Sequence, residues 1–135
     1  MNRHDGLDPV RINRQWKNQK GMTGIGIAAI LGMIAFFALI GMRLFPIYTE
    51  HFSVTTHLEK LETQSNIKNE TDRKIIGKLM SSYAIDDVKN VKRENIFIER
   101  ESGGGIIITI EYEVRTPAVG NIEMVVSFSD EVKIN

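Results

Sequence analysis

The chain of 135 residues contains no cysteine, which excludes disulfides and thiolate metal sites outright. Histidine is scarce: His4, His51 and His57 are all there are. His51 and His57 are six residues apart, about 240° around a helix, so one helix cannot offer both to a single metal ion. Asp86 and Asp87 have no third carboxylate or imidazole at ligand spacing, and a capping or solvated role is expected of them. The triplet Gly103-Gly104-Gly105 lies between two stretches of strand character, which is hairpin chemistry. A phosphate cradle needs a glycine loop leading into a helix. Ser53, Ser81, Ser82, Ser127 and Ser129 stand in no strand–elbow context with a histidine partner. Lysine and arginine are scattered through the C-terminal two thirds amid an acidic excess, so a nucleic-acid surface is not expected. The expectation is a protein without catalytic, cofactor-binding or metal-binding residues.

The most informative absence is local. From Met22 through Met42 there is no Asp, Glu, Lys, Arg or His. As an α-helix this run would be about 31 Å long, close to the hydrocarbon thickness of a bilayer. A core helix of that length would carry a polar face, and this one has none. Charge is distributed asymmetrically around it. Arg3, Arg11, Arg14, Lys17 and Lys20 against Asp5 and Asp8 give 5 − 2 = +3 before the run, and the remainder carries 12 − 15 = −3. Basic residues beside a short N-terminal arm favour its retention in the cytoplasm. The apolar run is longer than a cleaved signal's core and ends Ile40-Gly41-Met42-Arg43, without a small-x-small site, so a retained signal anchor is expected. The implied organisation is a basic cytoplasmic arm at 1–21, a transmembrane helix at 22–47 and a periplasmic domain at 48–135. The site would be the inner membrane of a Gram-negative cell, crossed once.

Within the run, Gly24, Ala28 and Gly32 recur every four residues, with Ala35 on the same side. Small residues let helix backbones approach closely in lipid, so these four are the candidate helix–helix interface. Arg43 can snorkel to the far interface, with Tyr48 as an aromatic anchor beyond it. Pro46 is expected to kink the helix or start a new one. Ile47, Phe52, Val54, Leu58 and Leu61 then trace a loose helical face. A second amphipathic helix is expected over Glu70–Tyr83, with Ile75, Ile76, Leu79, Met80 and Tyr83 inward and Asn69 or Thr71 as cap.

The rest alternates with period two. Ile96 and Ile98 begin one strand, Ile106 to Val114 put every second residue on an apolar face, and Ile122, Met124, Val126 and Phe128 do so again. Glu101–Gly105 and Thr116–Asn121 read as the connections. The fold class is α+β: one N-terminal transmembrane helix extended by a helix, a second amphipathic helix, and a three-stranded antiparallel sheet whose apolar face the second helix covers.

Two resemblances bear on this. Gln19-Lys20-Gly21-Met22-Thr23-Gly24-Ile25, followed by the apolar run, resembles the processing site of type IV prepilins and pseudopilins. The resemblance implies cleavage by prepilin peptidase between Gly21 and Met22, with Thr23 as the matching threonine. Gly26 stands where that family has the glutamate thought to meet a neighbouring subunit's N-terminal amine. A broader resemblance runs through Gly21-Met-Thr-x-Ile-Gly26, Arg43-Leu-Phe-Pro46-Ile-Tyr48, Tyr112-Glu-Val-Arg115-Thr-Pro117, Gly120-Asn121 and Phe128. This looks like domain-of-unknown-function family 4845, small single-pass proteins of Gram-negative bacteria. It implies the fold and the membrane location and no activity. The functional expectation is therefore a bitopic inner-membrane protein whose non-catalytic outer domain binds or scaffolds another envelope protein. Self-association through the transmembrane helix is a further possibility. The alternative is a minor pilin or pseudopilin of a filament or secretion machine.

Overall fold

The computed structural model describes residues 23–135. The basic arm and the candidate cleavage pair Gly21 and Met22 lie outside them. In order come α1 (Gly24–Glu62), a 3-10 turn (Ile67–Asn69), α2 (Asp72–Ile85), a second 3-10 turn (Arg93–Asn95), β1 (Ile96–Arg100), β2 (Ile106–Val119) and β3 (Ile122–Ile134). The chain divides into two units, Met1–Ile34 and Ala35–Asn135. The described part of the first is the beginning of α1, where Ile25, Ile27, Ile30, Leu31, Met33 and Ile34 all stand exposed. So much bare apolar surface on one helix suits lipid and not water. α1 is the one helix among the described residues long and apolar enough to cross a membrane.

The second unit begins within α1 and carries the core. Pro46 lies inside α1 and the helix continues through it, so no new helix starts there as the sequence allowed. Proline removes one intrahelical donor and disfavours a helix interior by about 3 kcal/mol. On either side of it Leu44 packs against the core and Ile47 is buried in it, and that packing holds the turn together. The Thr49 hydroxyl also donates to the Phe45 carbonyl at 2.9 Å. Further on, Val54, Leu58 and Leu61 are buried at helical spacing.

α2 begins at Asp72, two residues later than expected, because Thr71 takes the extended cap conformation. The Thr71 carbonyl accepts from the Lys74 and Ile75 amides. Ile75, Leu79 and Tyr83 form its buried stripe. The Tyr83 hydroxyl donates to the Val54 carbonyl at 3.4 Å, tying α2 to α1. The sheet is therefore covered by both helices, where the sequence pattern assigned the cover to the second alone. Full burial of one such aliphatic side chain is worth roughly 1.5–3 kcal/mol.

The sheet is an antiparallel meander, β1-β2-β3. Ile106, Ile108, Ile110, Tyr112 and Val114 are buried on its inner face, with Ile96, Val132 and Ile134 beside them. Glu111, Glu113, Arg115, Ser127 and Ser129 are exposed on the other. β2 is longer than expected and runs through Pro117, which pairs with Glu123 of β3. The ladder shows why a proline is tolerated there. β1 pairs only with Ile106–Ile110, and the Glu101 amide donates to the Gly105 carbonyl. That phase aims the backbone groups of odd-numbered β2 residues toward the β1 side. At Pro117 that side is open, so no ladder bond is lost. Its carbonyl accepts instead from the Arg43 guanidinium. Both hairpins turn on glycine in the left-handed region, Gly104 with φ 88° and Gly120 with φ 58°, a conformation costly for other residues.

Candidate functional site

The densest polar–aromatic cluster lies where α1 crosses the sheet. Tyr112 and Phe128 are cross-strand partners, and their rings lie 5.2 Å apart. His51, from α1, lies flat on Phe128, with 4.0 Å between centroids and 13° between planes. Tyr48, one turn earlier, meets the same ring edge-on at 5.8 Å. The expected membrane anchor Tyr48 thus has its ring partly engaged by the domain.

The polar atoms of the cluster converge on one nitrogen. His51 Nδ1 lies 3.2 Å from the Tyr112 hydroxyl and 3.5 Å from Asp130 Oδ2. That Asp130 oxygen is shut from solvent and makes no hydrogen bond among the described residues. Desolvation pushes the Tyr112 phenol well above its ordinary range, and the negative charges of Glu50 and Asp130 push the same way. The hydroxyl therefore stays protonated at physiological pH and can donate to the imidazole.

Around this centre, three further polar contacts fasten elements together. Glu50 accepts from the Lys89 and Asn90 amides at 2.7 and 2.8 Å and from Asn90 Nδ2 at 2.7 Å, clasping the loop after α2 to α1. His57, on another face of α1, pairs through Nε2 with Asp86 at 2.6 Å and meets the Tyr83 ring edge-on. Arg100, at the end of β1, donates to Asp72 and to the Lys68 and Glu70 carbonyls. The Glu70 carboxyl lies below its ordinary range, chiefly through the hydrogen bond from Lys78 and against the opposing effect of desolvation.

His51 and His57 face different partners, as their spacing demands. Among the described residues no group of three His, Asp or Glu side chains could hold a metal ion. On the outer face of the sheet, behind the cluster, runs a shallow trough of about 530 Å³, lined by Asn95, Glu111, Glu113, Ser127 and Ser129 along with Tyr112 and Phe128. It is open to solvent, so it has the shape of a contact surface more than of an enclosed site.

The residues expected to form a helix–helix interface lie on α1. Gly24, Ala28, Gly32 and Ala35 are exposed and fall within an arc of about 80°. A methyl group added at Gly24 or Gly32 would meet nothing within 4 Å. Sequence reasoning missed the His51–Tyr112–Phe128–Asp130 cluster. One signal was available: Asp130 has the same parity as Val126, Phe128 and Val132, and a carboxylate on the inward face of an alternating strand breaks the pattern.

A family model, Domain of unknown function (DUF4845), matches residues 43–128. The chain belongs to this DUF4845 family. The matched segment opens at Arg43 and closes at Phe128, so it takes in the guanidinium–Pro117 contact and three of the four cluster residues. No curated protein and no solved structure matches the chain.

Proposed function

We propose that this DUF4845 protein is a bitopic inner-membrane protein whose outer domain binds or scaffolds another envelope protein. The orientation, arm in the cytoplasm and α+β domain in the periplasm, rests on the +3 arm beside the apolar run. The observation that carries the binding reading is a pair of bare aromatic rings. Phe45 and Phe52 are 74% and 71% exposed and seven residues apart, hence one above the other on α1. That face lies opposite the buried Ile47 and Val54. Exposed aromatics in register on a rigid helix are the residue type that anchors protein interfaces. A non-catalytic role fits the polar clusters, since His51, Glu50, His57 and Arg100 each join two elements of the fold.

Photocrosslinking tests the reading. A benzophenone amino acid at Phe52 in native membranes should trap one discrete species, and a control at Glu131, exposed on the outer face of the sheet, should trap none. Equal or absent crosslinking from both positions would remove this helix face from any interface. In the apolar run, Gly32→Leu or Ala28→Leu should weaken co-purification with that species or with a second copy. Unchanged recovery would exclude the small-residue face.

The pilin-like alternative is favoured by one feature, an unbroken α1 leading from an apolar run into a domain with an antiparallel sheet. Intact mass from native membranes separates the two. Loss of residues 1–21 would favour the pilin reading, and the full-length mass would favour the permanent anchor.

A further inference from the structure

The β2–β3 hairpin runs in a direction that has a consequence for the membrane. His51 meets Tyr112, and eight residues earlier on α1 Arg43 meets Pro117. Following β2 from Tyr112 to Pro117 therefore follows α1 backward, toward the apolar run. Five strand residues advance about 17 Å and eight helix residues about 12 Å, so the two elements stay abreast. Arg43 is the first charged residue after Met42, and a cation at that position sits at the headgroup layer. Val119, two residues past Pro117, lies about 7 Å further along the same direction.

The sequence of the tip matches that depth. Thr116 through Ile122 reads Thr-Pro-Ala-Val-Gly-Asn-Ile, without a charge, between Arg115 and Glu123. Val119 and Ile122 flank the turn and are 49% and 63% exposed. At the opposite end of the sheet, the β1–β2 turn is Glu101-Ser-Gly-Gly-Gly105 and offers no apolar side chain.

We propose that the β2–β3 hairpin tip is a second membrane contact. Val119 and Ile122 insert into the headgroup and upper acyl region of the same bilayer that α1 crosses. The occupant of this surface is lipid, and the inference rests on the anchoring reading above. Arg43 then acts as a brace: its guanidinium holds the Pro117 carbonyl at interfacial depth and its charge faces the phosphates. Inserting apolar side chains and fixing one cation at the interface are the means by which peripheral elements hold a membrane surface.

The cysteine-free sequence permits single-site labelling. Full-length protein in nanodiscs of phosphatidylethanolamine and phosphatidylglycerol would carry an environment-sensitive fluorophore at Val119→Cys, Ile122→Cys, Gly103→Cys or Phe37→Cys. Lipids with a shallow spin-label quencher should dim the 119 and 122 probes at least twofold more than the 103 probe, and aqueous iodide should do the reverse. Equal responses at 119, 122 and 103, with the Phe37 probe quenched by a deep spin label, would overturn the hairpin contact and leave the anchor standing. A Phe37 probe untouched by lipid quenchers would overturn the anchor and this inference together. A second variant tests the brace: with the probe at Ile122→Cys, Arg43→Gln should reduce shallow-lipid quenching, whereas an unchanged signal would overturn the brace.

Discussion

The His51 imidazole lies flat on the Phe128 ring, 13° from parallel, and this stack is the main aromatic joint between α1 and β3. Phe128 also touches Tyr48 and Tyr112, so one ring serves three neighbours. Its removal should cost about 2–3 kcal/mol, below the usual 3–5 for a buried phenylalanine because Phe128 is only partly buried. Urea unfolding of full-length Phe128→Ala in micelles, followed by far-UV circular dichroism, measures this. In a double-mutant cycle with His51→Ala, a coupling of about 0.5–1.5 kcal/mol is expected. Strict additivity would mean that the stack is geometric coincidence.

Asp130 is the unsatisfied member of that cluster. One carboxylate oxygen is sealed from solvent without a hydrogen bond, which costs about 1–3 kcal/mol for a polar group and more for a charge. Asp130→Asn keeps the shape and removes the charge, so the variant should unfold at a higher urea concentration near neutral pH. Destabilisation would show that the His51–Asp130 attraction outweighs the burial penalty.

The sequence pattern disclosed the sheet more fully than the joints. Alternation from Ile106 to Val114 predicts the inner face correctly, because period two is set by the pleat alone. It stops short at Thr116, since proline signals a turn and only the ladder phase shows that its missing donor faces an open side. The contacts of Glu50 with Asn90 and of His57 with Asp86 join residues 40 and 29 positions apart. Nothing local encodes such pairs. The apolar run was legible because lipid demands length and lack of charge, both countable along the chain.

Glu50 satisfies two backbone amides and one side-chain amide with its carboxylate. Charge-assisted hydrogen bonds are worth about 1.5–3 kcal/mol each before entropy is counted. Glu50→Gln keeps acceptor capacity at one oxygen and should lose about 1–2 kcal/mol. The local signature is faster hydrogen exchange at the Lys89 and Asn90 amides, with β2 amides slowed or hastened far less. Unaltered exchange at both would mean that the loop is held by Val88 and Val91 alone.

High pH should unfold the domain through its tyrosines. Tyr83 and Tyr112 both have phenols shifted upward, mainly by desolvation, from an ordinary value of 10.0. In the unfolded chain each ionises near that value, whereas in the fold each keeps its proton. Above it the unfolded state binds fewer protons, so stability is intact below about pH 10 and falls as pH rises beyond it. Tyr112→Phe and Tyr83→Phe should each flatten the decline, and their double variant should remove most of it. A urea midpoint that declines equally steeply in the double variant would assign alkaline unfolding to lysine deprotonation.

Arg100 closes the end of the domain away from Arg43. Its guanidinium reaches Asp72 at 2.6 Å and two carbonyls of the segment leading into α2, a planar fork that an ammonium cannot reproduce. Exposed ion pairs alone contribute about 0–1 kcal/mol, so most of the effect should lie in the bonds to the Lys68 and Glu70 carbonyls. Arg100→Lys keeps the charge and loses the fork, and should cost about 1 kcal/mol, close to the cost of Arg100→Ala. If lysine restored full stability in urea unfolding, charge near Asp72 would be the operative feature, and the fork would not.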